Sequence, residues 1–186
     1  MKNIIDEIDN SILDDIMMED YEMIDNLEYQ GYFKAPSSKE HYRLLTHISN
    51  KFDDSIFIDI GTLKGSSALA LSKNKTNTVY SFNLREELQL KQKPENVKFI
   101  VDHVMNPEYT EILLKSKLIL LDTFHDGTFE NTFYDYLKNI NYQGVLLLDD
   151  IKLNNAMITF WNSIDKQKFD ISSIGHITGT GIVYFN

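Results

Sequence analysis

Two apolar runs of the chain end in carboxylates. Leu118-Ile119-Leu120-Leu121 leads into Asp122-Thr123-Phe124-His125-Asp126, and Val145-Leu146-Leu147-Leu148 leads into Asp149-Asp150. Both runs read as β-strands. Adjacent strands lie about 4.8 Å apart, so carboxylates projecting from such a pair can share one cation at about 2.0–2.1 Å, the octahedral oxygen preference of magnesium. Without a cation these acids would repel one another and some would have to protonate. Asp122, Asp149 and Asp150 are therefore candidate metal ligands, with Mg2+ as the ion. His125, three residues after Asp122, is a candidate general base, because an imidazole with a pKa near about 6.5 can take a hydroxyl proton near neutral pH. A blander alternative stays open: Asp122 borders a cofactor, and Asp149 or Asp150 caps the next helix. His176, between Gly175 and the Gly179-Thr180-Gly181 turn, is expected near the same end of the sheet, where it could touch substrate or replace His125.

A second constellation precedes these. Ser55-Ile56-Phe57-Ile58-Asp59-Ile60 runs into Gly61-Thr62-Leu63-Lys64-Gly65 and then Ser66-Ser67, an apolar strand, a glycine turn and a small-residue helix start. Such a turn brings backbone N–H groups and a helix N-terminus close to a bound anion, and Asp59 favours an amine or hydroxyl beside it. A group with both a carboxylate and an ammonium, such as the methionine part of S-adenosylmethionine, suits this better than a dinucleotide. A pyrophosphate-binding turn wants Gly-x-Gly-x-x-Gly, and Leu63 stands where its second glycine would be.

Elements must hold these groups in place. Ile5, Ile8, Ile12, Leu13, Ile16, Met17 and Met23 recur at helical spacing among acids, which predicts one or two amphipathic helices over Ile4–Leu27. A loop around Gly31, Pro36, Ser37 and Ser38 follows, then a helix over Lys39–Lys51 capped by Ser37 or Ser38. Strands are predicted at Ser55–Ile60, Thr78–Asn83, Val97–Val101, Lys117–Asp122 and Gly144–Asp149, separated by helices or long connections. That alternation predicts a parallel sheet with helices on both faces. A helix over Asn155–Asp165 and two strands, Lys168–Ser173 and Gly181–Phe185, close the chain. Phe129, Phe133, Tyr134 and Tyr136 are expected to pack in the core, as is the helix bearing Trp161. His41, His47 and His103 show no convincing partner in the sequence.

Composition narrows the classes. The 186 residues, 42% hydrophobic, suit one domain with a full core: residues 1–50 as an N-terminal helical cover and 51–186 as a cofactor-binding sheet core. A net charge of −10 opposes a phosphate backbone as partner, so no nucleic acid is expected. The absence of cysteine removes disulfides and thiolate metal sites. Met1–Glu7 is interrupted by acids and does not read as a signal peptide, and no apolar run is long enough to span a membrane. The expectation is a soluble, cytoplasmic protein, with homo-oligomerisation left open.

With five strands in this order, the Asp59–Gly65 turn after the first, and a terminal helix and antiparallel pair, the chain from Lys39 onward resembles the class I S-adenosylmethionine-dependent methyltransferases. The resemblance implies an α/β Rossmann-like fold, a seven-stranded mixed sheet in the order 3-2-1-4-5-7-6, and a cofactor lying across the carboxyl ends of the strands. It implies cofactor contacts from Asp59, Gly61, Thr62, Gly65, Ser66 and Asp122, with Asp102 at the adenine amino group. Family members commonly place an acid at the end of the second strand to bind the ribose; Asn83 stands there instead, so that either affinity is lower or Glu86 substitutes. Asp122, Asp149 and Asp150 together are similar to the metal-dependent O-methyltransferases of the catechol and antibiotic-sugar types. Asp122-x-x-His125 looks like the sugar enzymes, in which that histidine is the base. Phe124–Glu130 and Asp149–Asn154 also look like microbial and large-virus methyltransferases associated with surface glycans. The implied activity is Mg2+-assisted O-methylation of a sugar, glycan or small-molecule hydroxyl. Three alternatives are a catechol-type methyltransferase, an NAD-binding dehydrogenase-like protein and a non-catalytic binding module.

Overall fold

The structure, a computed structural model, describes Ile4 and residues 8–185. Its centre is a seven-stranded sheet built from β1 (Ile56–Ile60), β2 (Thr78–Asn83), β3 (Val97–Val101), β4 (Leu118–Leu121), β5 (Gly144–Asp149), β6 (Gln167–Asp170) and β7 (Thr180–Phe185). The order is β3-β2-β1-β4-β5-β7-β6. The first five strands run parallel, and β7 pairs antiparallel with both β5 and β6. This is the expected Rossmann-like class I methyltransferase fold.

The central strands are apolar on both faces because both faces are covered. Side chains alternate between two cores. Phe57, Leu118, Leu120, Val145, Leu147 and Ile182 pack with α3 (Tyr42–Ser49) and α4 (Ser66–Leu71) on one face. Ile58, Ile119, Leu121, Leu146, Leu148 and Val183 pack on the other with α5 (Thr110–Lys115), α6 (Thr128–Asn139) and α7 (Asn155–Ser163). Phe133 and Tyr134 are buried there as expected, while Phe129 reaches the cavity described below. The register decides the site: Leu121 pairs with Leu148, so the following residues, Asp122 and Asp149, leave the sheet side by side.

The N-terminal third departs from the sequence expectation. Instead of one or two amphipathic helices over Ile4–Leu27, there is a five-residue α1 (Asn10–Asp14), a 3-10 turn at Glu19–Met23, and α2 (Leu27–Lys34), which contains Gly31. Part of that stretch, including Ile5, lies outside the described residues. The breaks have local causes. Asp9 accepts from Ile12 N and Asn26 from Glu28 N and Tyr29 N, each starting a new helix. Asp14 is drawn off to the Ser37 backbone N–H. That contact, with Ser37 Oγ donating to Asn10, also explains why neither serine caps α3; His41 stands at its N-cap with no side-chain capping bond. The apolar residues here cover a sheet face, so their spacing follows the surface beneath them rather than one helix. β6 is also shorter than predicted, and residues 171–179 form a loop that returns toward the end of β5. Among the described residues no helix is long and apolar enough to cross a membrane.

Candidate active site

The turn after β1 needs glycine at its first position. Gly61 has φ +96°, and a Cβ there would lie 1.6 Å from the Asp122 carbonyl oxygen, so β1 and β4 pass too closely for any side chain. Leu63 is also left-handed, at φ +48°, a conformation that costs energy for a residue with a Cβ. Gly61, Thr62 and Ser66 line the cavity beyond the strand ends. Ser66 is buried on the cavity wall with the Tyr42 hydroxyl as its neighbour. Because α4 has only six residues, anion attraction here rests on the N–H groups of the turn more than on a long helix dipole.

Two residues expected to touch cofactor do not line the cavity. Asp59 is fully buried beneath the turn and accepts from Ser81 Oγ at 2.8 Å; burial pushes its carboxyl up to about 6 against these hydrogen bonds. Gly65 packs toward Leu88 and Leu90. Both shape the turn from behind. At the end of β2, Asn83 faces the cavity and donates to Glu87 Oε2 at 3.3 Å. Glu87, rather than Glu86, is therefore the carboxylate placed beside the second strand; Glu86 lines a separate shallow groove. Asp102 lines the cavity with both oxygens already engaged, by His103 N and Asn106 Nδ2 on one and Tyr109 OH on the other. These bonds hold its carboxyl below the usual range.

The opposite lip carries the charge. Asp122 and His125 lie at the end of β4, with His125 Nε2 3.2 Å from Asp122 Oδ1 and Nδ1 3.5 Å from Asp150 Oδ2. The Nε2 approach is off the line of a hydrogen bond, so that buried nitrogen has no hydrogen-bond partner. His125 (φ +55°) and Asp150 (φ +59°) are both left-handed, and such backbone strain concentrates at functional sites. Asn154 Nδ2 donates to the His125 carbonyl at 2.8 Å, while Glu130 accepts from His125 N at 2.9 Å. The loop is thus pinned from both sides.

Asp149 is the hub. Its Oδ1 lies 3.1 Å from His41 Nδ1 and 3.2 Å from His176 Nδ1, and His176 Nδ1 is also 3.0 Å from Asp150 Oδ1. Burial alone would raise the Asp149 carboxyl; the two imidazoles hold it well below the usual carboxylate range. Burial likewise opposes charge on the rings, yet Asp149 and its neighbours hold His41 up at about 9 and His176 at about 11. Asp122 moves the other way. Desolvation in the cleft and the nearby Asp149 charge raise it, although its side chain keeps 28% exposure toward the cavity. His125 is raised by Asp122 and Asp150 against the desolvation of its ring.

His41 thus belongs to the site, a correction to its reading from sequence, and Glu40 joins it. The only sequence signal was a Glu-His pair just ahead of a helix. The three carboxylates expected to bind metal do converge, but through imidazoles. Asp122 and Asp149 group with His41, Asp149 and Asp150 group with His125, and each set offers ligand atoms within 4.8 Å of one another. Unpartnered buried ring nitrogens and paired carboxylates fit a divalent cation. His103, which also lines the cavity, accepts from Met105 N. His47 stays away from it.

Between the two lips lies a cavity of about 680 Å³, within the range of small-molecule sites and at the carboxyl ends of the parallel strands, where open α/β sheets bind ligands. Tyr29, Tyr32 and Phe124 line it beside the charged cluster.

No protein-family profile matches the chain, and no curated protein sequence does. Solved structures do. The O-methyltransferase from Bacillus cereus in complex with SAH aligns over 95% of this chain and 96% of that one, with a TM-score of 0.59 at 12% identity. The SAH-bound methyltransferase PaMTH1 of Podospora anserina aligns over 78% and 77%, with a TM-score of 0.57 at 13% identity. The O-methyltransferase TomG from Streptomyces achromogenes, involved in tomaymycin synthesis and in complex with SAM, aligns over 78% and 79%, with a TM-score of 0.56 at 12% identity. At these identities the likeness is one of fold, and the fold this chain shares with them is that of the class I methyltransferases.

Proposed function

We propose that the protein is an S-adenosylmethionine-dependent O-methyltransferase acting, with a divalent cation that we take to be Mg2+, on a hydroxyl of a sugar or glycan in the cytoplasm. The observation that carries this reading is His125, with an unpartnered ring nitrogen between Asp122 and Asp150, at one end of a cavity whose other end is the Gly61 turn. The SAM- and SAH-bound neighbours of the same fold support the choice of cofactor. When bound, S-adenosylmethionine supplies an electrophilic methyl group, and a cation at Asp122, Asp149 and Asp150 lowers the pKa of a coordinated hydroxyl.

The chain's own residues do the rest. The Gly61–Thr62 backbone and Ser66 bind the amino-acid end of the cofactor, and Asn83 with Glu87 accepts the ribose hydroxyls. His125 Nε2 takes the acceptor's hydroxyl proton, and Asp122 and Asp150 orient the ring and favour its charged form. Tyr29, Tyr32 and Phe124 offer flat apolar faces to a ring-shaped acceptor and exclude water around it. Holding both reactants in one cavity supplies the in-line geometry of the transfer.

Calorimetric titration with S-adenosylmethionine, S-adenosylhomocysteine and NAD, each with and without Mg2+, tests the reading. Binding of the first two but not NAD is expected, followed by methyl transfer to a sugar hydroxyl that a chelator stops. Binding of NAD alone, or of none of the three, overturns it. Chelator-insensitive transfer would remove the cation, and transfer to catechols that survives loss of His125 would replace the sugar acceptor.

A further inference from the structure

Glu40, His41 and His176 have no part in the transfer just described, yet they form a group of their own at the cavity edge. Glu40 and His41 come from the segment ahead of α3, and His176 from the loop between β6 and β7. The two rings meet edge to face, with centroids 5.5 Å apart and planes at 70°. Each points Nδ1 at the same oxygen, Asp149 Oδ1. An ionised Asp149 can only accept, so both Nδ1 atoms carry a hydrogen, and a bound ion would take the place of the proton on each Nε2.

Both Nε2 atoms are directed toward one carboxylate. His41 Nε2 is 4.0 Å from Glu40 Oε1, and His176 Nε2 is 3.7 Å from Glu40 Oε2. His41 is 2% exposed, and its Nε2 has no hydrogen-bond partner. A ligand atom from each of the three residues lies within 4.8 Å of the others. Ligands about 2.1 Å from a tetrahedral ion lie roughly 3.4 Å apart, so the three side chains would draw in around an ion and leave its fourth position open. An acid behind a metal-binding histidine, accepting from its other nitrogen, is the usual outer arrangement of an imidazole–metal site; here one acid serves two rings.

We infer that Glu40, His41 and His176 form a second cation site, selective for an imidazole-binding divalent transition ion such as Zn2+ or Co2+, with Asp149 as its outer partner. The donor set separates it from the Mg2+ site of the proposed reaction: two nitrogens and one carboxylate suit the later first-row ions, whereas magnesium takes oxygen. Asp149 joins the two sites. Its Oδ1 holds the rings, and the carboxylate remains within reach of an ion shared with Asp122. An ion here would tie the start of α3 to the β6–β7 loop.

The test is titration of the chelator-treated full chain with Co2+, followed by visible absorption and calorimetry. One equivalent is expected, with nitrogen-ligand d–d bands, displaced by Zn2+ but not by a large excess of Mg2+. Glu40→Gln and His176→Asn should each weaken Co2+ binding by more than ~100-fold, beyond what loss of an outer partner costs. Both variants should still bind S-adenosylmethionine, which shows them folded, and should lose the rise in Tm that Co2+ gives the parent chain. Absence of Co2+ binding, unchanged affinity in both variants, or an equal loss in Asp122→Asn would overturn the site. Failure of the methyl-transfer reading shows separately, as Co2+ binding without S-adenosylmethionine binding.

Discussion

The two lips of the cavity are built on opposite principles. The lip formed by the ends of β1, β2 and β3 acts through backbone shape: left-handed Gly61, Leu63 and Gly65, buried Ser66, and Asn83 paired to Glu87. The lip formed by β4, β5 and the loop before β7 acts through charge, with Asp122, Asp149 and Asp150 threaded by His41, His125 and His176. Shape on one side and charge on the other is the division expected when one lip holds a donor and the other activates an acceptor. Substitutions in the charged lip should therefore lower kcat at nearly constant cofactor affinity. Those in the lip of β1, β2 and β3 should do the reverse.

The largest effect is expected from Asp122→Asn. It removes one of the three carboxylate charges offered to a cation and the charge beside His125 Nε2, so cation-dependent turnover should fall below detection while S-adenosylhomocysteine still binds within about tenfold of the parent. Calorimetry and a methyl-transfer assay on the same preparation check both. A loss of cofactor binding equal to the loss of rate would erase the distinction between the lips.

His125→Ala comes next. Loss of a positioned base costs roughly 10²–10⁴ in rate, and because His125 keeps away from the glycine turn, cofactor and Mg2+ affinities should hold. The pH–rate profile carries the sharper reading: the acidic limb, where rate falls as a raised imidazole protonates, should vanish in the variant. Persistence of that limb would transfer the role of base to His176.

In the lip of β1, β2 and β3, Asn83→Ala should weaken S-adenosylmethionine by about 2–12-fold, the range of one uncharged hydrogen bond, with kcat unchanged. Asn83→Asp should not tighten binding, because its carboxylate would face Glu87 at the distance now spanned by a hydrogen bond, 3.3 Å. A marked gain in affinity would show that Glu87 turns away when cofactor binds.

How far the sequence discloses all this depends on how local each cause is. The strands β2, β3 and β5 are legible to the residue, since their β-type runs are bounded by Asn, Asp and Gly, with β5 buried on both faces and β3 at the sheet edge. The convergence of Asp122 and Asp149 follows from strand order together with the Leu121–Leu148 register. What stays hidden is set by contacts distant in the chain. His41 meets Asp149 across 108 positions, and nothing near His41 marks it, because its partner is chosen by where the cover lies on the sheet. The N-terminal helices are misread for the same reason: capping by Asp9 and Asn26, together with the Asp14–Ser37 contact, overrides an apolar spacing that a single helix would satisfy. Asp59 is the converse case, a residue whose position in the motif is plain and whose orientation is not.

Asp59 also gives the smallest effect and the cleanest separation of scaffold from site. Its folded pKa of about 6 lies above the ordinary 3.8, so the folded chain holds this proton more tightly than the unfolded one. The stability linked to it is fully present below 3.8 and is lost as pH rises through 6. For one proton this amounts to at most about 3 kcal/mol, at ~1.4 kcal/mol per pH unit. Asp59→Asn keeps an oxygen for Ser81 Oγ but cannot ionise. The difference in denaturant stability between the variant and the parent chain should therefore grow in the variant's favour from pH 4 to pH 7. Cofactor affinity should stay within about threefold, since the side chain lies behind the turn and not on the cavity wall. A collapse of S-adenosylmethionine binding in this variant would mean that the turn opens to expose Asp59 to the ligand's ammonium. That lip would then add the Asp59 carboxylate to those of Glu87 and Asp102 on the cavity wall.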